Sequence, residues 1–237
     1  MAKFKICTFS LKLNPIQFNY SLNNSILTRC TTVKDLGIIF DQKLTFANHI
    51  LTINNSSIKM LGFLIRNCKS FRDMDSLKTL YFALVRSKLE YGALIWNPNY
   101  NNHINMIEKT QRRFLKFLNF QVYGVYPERG FDGGVLLEMF NVPSLKLRRD
   151  ILTLKFLCNL FRNKIDCPDL LSQFNLLVPR LNARENLYFY SFARTNVGLT
   201  SPISSMCNVF NKISNYCDLH TDSLNFITDI YIRTITV

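Results

Sequence analysis

Two kinds of apolar spacing divide the chain. From Phe4 to Phe40, apolar residues tend to alternate with polar ones: loosely in Phe4–Phe9, cleanly in Ile16-Gln17-Phe18-Asn19-Tyr20, and again through Leu22–Leu27 and Val33–Phe40. A period of two predicts strands. Asn23-Asn24 predicts a tight reversal, because asparagine tolerates the positive φ of a two-residue hairpin. Asp41 begins the turn after the last strand. Residues 1–46 are therefore expected to form a small antiparallel β hairpin or sheet, with little to cover one face and marginal by itself.

From Ala47 the spacing becomes three and four. Ile50, Ile53, Leu61, Leu64 and Cys68 predict a helix to about Lys69, interrupted by Asn54-Asn55-Ser56-Ser57. Asp73 and Asp75 offer N-cap oxygens to a second helix over about 76–95, with Leu77, Leu80, Tyr81, Leu84 and Leu89 at helical spacing. The loop Asn97-Pro98-Asn99-Tyr100-Asn101-Asn102 leads to a third helix, about 103–120. Ile104, Ile107, Phe114, Leu115 and Leu118 fall on one side of it, and Lys109, Arg112, Arg113 and Lys116 on the other. Three amphipathic helices with short links make an antiparallel bundle over 47–120.

Gly124, Pro127, Gly130, Gly133 and Gly134 then mark 121–134 as a linker. Residues 135–237 read as a second helical subdomain. Its centre is a helix, apolar on most sides, from a Ser144 cap to about Lys164. A short helix over 135–140 precedes it. Another starts at Pro168, and later ones open at Ser201-Pro202 and Asp222. Leu176 to Arg194 reads as irregular or extended. The expected class is α+β, mainly α.

Composition narrows the partners. Apolar residues make up 48% of the 237, which excludes a disordered chain. Lys and Arg outnumber Asp and Glu by 29 to 16, a net charge of +13. Residues 1–72 carry ten basic residues against Asp35 and Asp41 alone. Such an excess favours a polyanion, nucleic acid or an acidic membrane surface. No apolar run approaches the roughly 18–20 residues of a membrane span, and the N-terminus lacks a signal-peptide core. The seven cysteines are odd in number and contain no Cys-x-x-Cys, so reduced thiols in the cytoplasm or nucleus are expected rather than a disulfide framework. Cys207, Cys217 and His220 come nearest to a zinc pattern but lack a fourth ligand nearby, so no metal or other cofactor is expected.

Catalytic signatures are missing. Template-directed polymerases hold two divalent metals on paired carboxylates, and this chain has no Asp-Asp. Asp73 and Asp75 are explained by capping, and Asp35 and Asp41 stand too far apart along a strand to share one metal. No Walker loop, Gly-x-Ser-x-Gly or His-Glu-x-x-His is present, and His49, His103 and His220 have no nucleophile in register.

What remains is binding chemistry. Lys109, Arg112, Arg113 and Lys116 align about a turn apart, a stripe that suits a phosphate backbone and equally an ordinary solvated helix face. Arg148-Arg149 stand at the unfavourable end of a helix dipole, where a phosphate would relieve them; a salt bridge to Glu138 or Asp150 is the plainer explanation. Tyr188, Phe189, Tyr190 and Phe192, followed by Arg194, are of the types that stack on bases, although most aromatics in so apolar a chain are core.

Several of these residues also form familiar runs. Leu80-Tyr81-Phe82-Ala83-Leu84-Val85-Arg86-Ser87-Lys88-Leu89-Glu90-Tyr91-Gly92, then Ile95-Trp96-Asn97-Pro98, then Ile107-Glu108-Lys109-Thr110-Gln111-Arg112-Arg113-Phe114 resemble the helical thumb of non-LTR retrotransposon reverse transcriptases of the jockey type. Val33-Lys34-Asp35-Leu36-Gly37-Ile38-Ile39-Phe40-Asp41, with Leu44-Thr45-Phe46 and His49-Ile50, resembles the family's approach to the thumb. Lys5-Ile6-Cys7-Thr8-Phe9 resembles the end of the palm. Ser144-Leu145-Lys146-Leu147-Arg148-Arg149, Asp166-Cys167-Pro168-Asp169-Leu170-Leu171, Arg194-Thr195-Asn196 and Ser201-Pro202-Ile203 resemble its later stretches.

The family is an RNA-directed DNA polymerase whose palm carboxylates use Mg2+. The resemblance implies a truncated fragment comprising the end of the palm, the thumb and post-thumb helices, without the catalytic Asp-Asp segment. It would hold an RNA–DNA or DNA duplex regardless of sequence, without intrinsic catalysis. The candidates it implies are Lys109, Arg112, Arg113, Lys116, Arg148 and Arg149, with Lys5 near the primer grip. The missing palm and fingers are a second expected partner. A protein-interaction module or a non-functional retroelement relic are the alternatives.

Overall fold

The computed structural model describes residues 4–16, 18–128, 130–177, 189, 198 and 201–236. The fold is α+β and mainly α. The chain forms two compact units, one of residues 1–92 and 100–125, the other of residues 93–99 and 126–237.

The first unit begins with three two-stranded pieces. β2 (Ser21–Leu22) and β3 (Ser25–Ile26) form the expected hairpin, with Asn23 and Asn24 at φ 49° and 60°. β1 (Lys5–Ile6) departs from expectation by lying parallel to β4 (Thr28–Arg29), Lys5 opposite Thr28 and Ile6 opposite Arg29. The connection between them contains its own hairpin, so the chain returns to the start of β1 before running alongside it. The stretch 33–40, expected as one strand, is two: β5 (Thr32–Asp35) and β6 (Ile38–Asp41), antiparallel. Leu36 and Gly37 form the turn at φ 44° and 88°. The positive-φ pair makes a primed hairpin turn and overrides the alternation that reads straight through it.

α1 (Ala47–Asn67), α2 (Met74–Tyr81) and α5 (Asn101–Tyr123) are the three long helices of the first unit. Asp73 caps α2 by accepting from the Ser76 amide at 2.8 Å, as expected; Asp75 stands within the first turn instead. A π-helical segment, Phe82–Arg86, follows α2 and runs into α3 (Ser87–Glu90). This shifts the apolar phase. Leu77, Tyr81, Val85 and Leu89 are all fully buried, whereas Leu84 is 36% exposed. Three successive steps of four residues drift round an α-helix, and the wider π turn keeps them in line. The Tyr81 ring stacks on Phe114 at 4.0 Å, and its hydroxyl donates to Gln111 Oε1 at 3.1 Å. The polar interruption in α1 is a core contact: Asn54 is buried, and its Oδ1 accepts from Thr110 of α5 at 2.9 Å.

The second unit contains α4 (Ala93–Trp96), α6 (Gly133–Met139), α7 (Leu145–Phe161), α8 (Pro168–Leu171), α9 (Pro202–Asn211) and α10 (Leu224–Thr236). α7 is central, as its all-round apolarity suggests: Leu154, Leu157, Cys158 and Phe161 pack with Phe174, Phe189, Phe210, Ile213, Ile227 and Tyr231. Ser144 and Ser201 cap α7 and α9, accepting from the Leu147 and Ser204 amides. At α10 the capping oxygen is Ser223 Oγ, which takes the Phe226 amide, and not Asp222. The Asp222 carboxylate instead accepts from the Asp218 amide at 2.8 Å. Asn211 exchanges two 2.9 Å hydrogen bonds with the backbone of Phe189.

Candidate nucleic-acid interface

The two sides of α5 have separate tasks. Ile107, Phe114, Leu115 and Leu118 are wholly buried, as is Gln111, while Lys109, Arg112 and Arg113 are exposed and Lys116 is half-buried. The inward side is locked by Phe114 on Tyr81 and by Thr110 on Asn54, so the rotation of the helix, and with it the direction of the stripe, is set by packing. Seven residues at 1.5 Å each put Lys109 and Lys116 about 10 Å apart along the axis. Among the described residues none of the four cations has an ion-pair or hydrogen-bond partner. Such a row of exposed cations is a surface to which a polyanion would be drawn by charge.

Arg72 adds a cation near the same helix. Its guanidinium donates to the Gln121 carbonyl at 3.1 Å, in the last turn of α5, where a positive charge complements the helix dipole. Lys59 and Arg66 are exposed on α1, seven residues apart and so on one face. Spacing alone does not single them out, because exposed Leu51 and Phe63 interrupt the basic pattern of that helix.

The other sequence candidates are placed differently. Lys5 is exposed on β1, a separate element of the first unit. Arg148 and Arg149 belong to the second unit. Arg149 is 2% exposed, and its Nε donates to Asn97 Oδ1 at 3.0 Å, so the guanidinium is committed inside that unit. Trp96, one residue before, is 1% exposed. The run Trp96-Asn97-Pro98 thus works as a core residue and an acceptor for Arg149. Arg148 is half-buried. Phe189 is 1% exposed in the second core, which removes it from any stacking role; Tyr188, Tyr190, Phe192 and Arg194 lie outside the described residues.

The segment after β6 is also structural. Asp41 accepts from the Phe46 amide at 2.7 Å and from the Thr45 amide and hydroxyl at 3.1 and 3.0 Å. Burial alone would raise the carboxyl, but these donors outweigh it and hold Asp41 below its ordinary value. His49 is buried, and its Nδ1 accepts from the Ile39 amide of β6 at 3.3 Å. Burial, helped by the charge of Lys34, lowers its pKa and keeps the ring neutral. Tyr91 donates to the Leu36 carbonyl at 2.9 Å, and its ring lies 3.4 Å from where a Cβ on Gly37 would stand.

Chemistry beyond charge is sparse. A cavity of about 450 Å³ in the first unit is lined by Thr52, Ile53, Ser56, Ser87, Lys88 and Tyr91. The hydroxyls of Thr52, Ser87 and Tyr91 already donate to backbone carbonyls. Among the described residues no three His, Cys, Asp or Glu side chains gather as a metal site. Burial pushes the thiols of Cys207 and Cys217 up to about 11, away from the thiolate form that zinc requires.

Two known proteins share part of this sequence. An uncharacterized protein of Caenorhabditis elegans is 29% identical over 137 residues, covering 58% of this chain and 67% of that protein. The RNA-directed DNA polymerase from the mobile element jockey of Drosophila funebris is 26% identical over 99 residues. That match covers 40% of this chain and 11% of the polymerase. No protein-family model matches the chain, and no solved structure matches it. No helix among the described residues is long and apolar enough to cross a membrane.

Proposed function

We propose that this chain is a thumb-like, non-catalytic part of an RNA-directed DNA polymerase related to those of jockey-type elements. It grips an RNA–DNA or DNA duplex by the phosphate backbone, regardless of base sequence, in the cytoplasm or nucleus. Lys109, Arg112, Arg113 and Lys116 make the contact, with Lys5 a further cation of the same unit. Arg149 is left out because it is buried on Asn97. Any Mg2+ chemistry would belong to palm and fingers outside this sequence.

The observation that carries the reading is the α5 stripe: four cations on one face, without acidic partners among the described residues, on a helix whose opposite face is locked into a core. The jockey match supports the polymerase context. The test is fluorescence anisotropy of a short RNA–DNA hybrid across a salt series, comparing the chain with its Lys109→Gln, Arg112→Gln, Arg113→Gln, Lys116→Gln quadruple variant. Each phosphate contact contributes about 0.9 to the slope of log affinity against log salt, so the slope should fall by up to about 3–4. An unchanged slope in a folded variant would overturn the assignment.

One observation favours a protein-interaction module instead. Leu13 is 99% exposed and Ile16 86%, with Phe18 and Ile26 also open to solvent. Large apolar side chains left open to solvent suit a protein interface. Concentration-dependent light scattering with no hybrid binding at low salt would favour this second reading.

A further inference from the structure

The N-terminal segment is held by few contacts. Its strands β1 to β4 are two residues long, and Phe4, Leu11, Leu13, Ile16 and Phe18 are exposed. Arg29 does much of the tethering, donating to Thr8 Oγ1 at 3.0 Å and to the Phe18 carbonyl. Hydrophobic burial is therefore not what fixes residues 4–30 in place.

Two cysteines follow the parallel pairing of β1 and β4. β1 and β4 align Lys5 with Thr28 and Ile6 with Arg29, so the next step aligns Cys7 with Cys30. The Cys30 amide donates to the Ile6 carbonyl at 2.9 Å, the bond that closes the Ile6–Arg29 pair and holds Cys30 beside the end of β1, where Cys7 follows. Neighbouring strands are about 4.8 Å apart, and paired residues of a parallel ladder point to the same face. This is within the roughly 4.4–6.8 Å between Cα atoms that a disulfide spans. Cys30 Sγ also reaches the Ile6 carbonyl, at 3.4 Å, and both thiols are partly accessible and free. Burial, and then the neighbouring Cys30 side chain, raises the Cys7 thiol. Cys68, Cys158, Cys207 and Cys217, in contrast, are buried.

We infer that Cys7 and Cys30 form a dithiol–disulfide pair, an oxidation site that staples the N-terminal β segment. The oxidant is a low-molecular-weight disulfide such as oxidised glutathione. One cysteine thiolate attacks it, forms a mixed disulfide and expels one glutathione thiolate. The second cysteine, as thiolate, attacks the protein sulfur of that mixed disulfide and expels the other. Two electrons pass from the cysteines to glutathione, and the two cysteine protons end on the two reduced glutathiones. The bond closes residues 8–29 into a loop and makes local opening of the segment rarer, by roughly a hundredfold. Reduction releases it.

The test uses the whole native chain in glutathione buffers of graded ratio, quenched with acid, alkylated and mapped by peptide mass spectrometry. The expected product is a Cys7–Cys30 cross-linked peptide that appears before any other disulfide. It should form much faster in the native chain than in urea, and protease cleavage within 8–29 should slow after it forms. Recovery of Cys7 and Cys30 as alkylated thiols or as separate glutathione adducts, with no internal cross-link, would overturn the proposal. So would equal rates in native and unfolded chain. Cys7→Ser and Cys30→Ser should each abolish the cross-link; because the native-against-urea comparison uses the unaltered chain, a misfolded variant leaves the test intact.

Discussion

Replacing Asp41 with alanine should loosen the junction between β6 and α1. The N-cap residue of α1, Phe46, is in the left-handed region at φ 55° and provides no side-chain cap. Asp41 supplies the missing acceptor from five residues upstream. Three donors converge on its carboxylate, at 2.7, 3.0 and 3.1 Å. Hydrogen bonds to an ionised group contribute about 1.5–3 kcal/mol each, less where water can replace them. The side chain is half-buried, so water recovers part of the loss, and about 2–3 kcal/mol in total is expected for Asp41→Ala. Asp41→Asn, which keeps one carbonyl oxygen, should cost about half of that.

The assay is hydrogen exchange of the Thr45 and Phe46 amides in the full chain, read alongside urea unfolding. Their exchange should speed up on the order of a hundredfold in Asp41→Ala. The sign with pH follows from the lowered carboxyl: its contribution is present above the ordinary value of 3.8 and disappears as the pH falls through the lower folded value. A loss below about 0.5 kcal/mol with unchanged exchange would refute the account.

Two further outcomes are expected. His49 has a folded pKa below its ordinary 6.5, so the unfolded chain binds the extra proton and stability falls as the pH drops below about 6.5, by up to about 1.4 kcal/mol per pH unit; a urea-midpoint profile should flatten in that range for His49→Gln, and an unchanged profile would show that His49 is not the group titrating. Arg149→Ala should destabilise the chain by about 2–4 kcal/mol while leaving hybrid affinity unchanged, because it removes a buried side chain and its hydrogen bond to the half-buried Asn97; weaker binding at undiminished stability would return Arg149 to the interface.

Local rules made much of this protein readable from its sequence. The Asp73 and Ser144 caps, the helix opening at Ser201 and the Asn23-Asn24 reversal depend on residues within about four positions of one another, and appear as the pattern implies. The basic stripe of α5 was legible for the same reason: its members are a turn apart, and the apolar residues between them declare which face turns inward. Tertiary structure decided what depends on distant neighbours. Val85 replaces Leu84 in the core because a π turn re-phases the helix against its partners, and Leu36-Gly37 turns under a tyrosine fifty-five residues away. Arg149 faces inward because Asn97, fifty-two residues earlier, holds it, and Cys7 stands beside Cys30 because a parallel pairing brings β4 back along β1. No periodicity encodes such pairings; they exist only once packing has chosen which segments become neighbours, and that choice rests on buried area and satisfied polar groups summed over the whole unit.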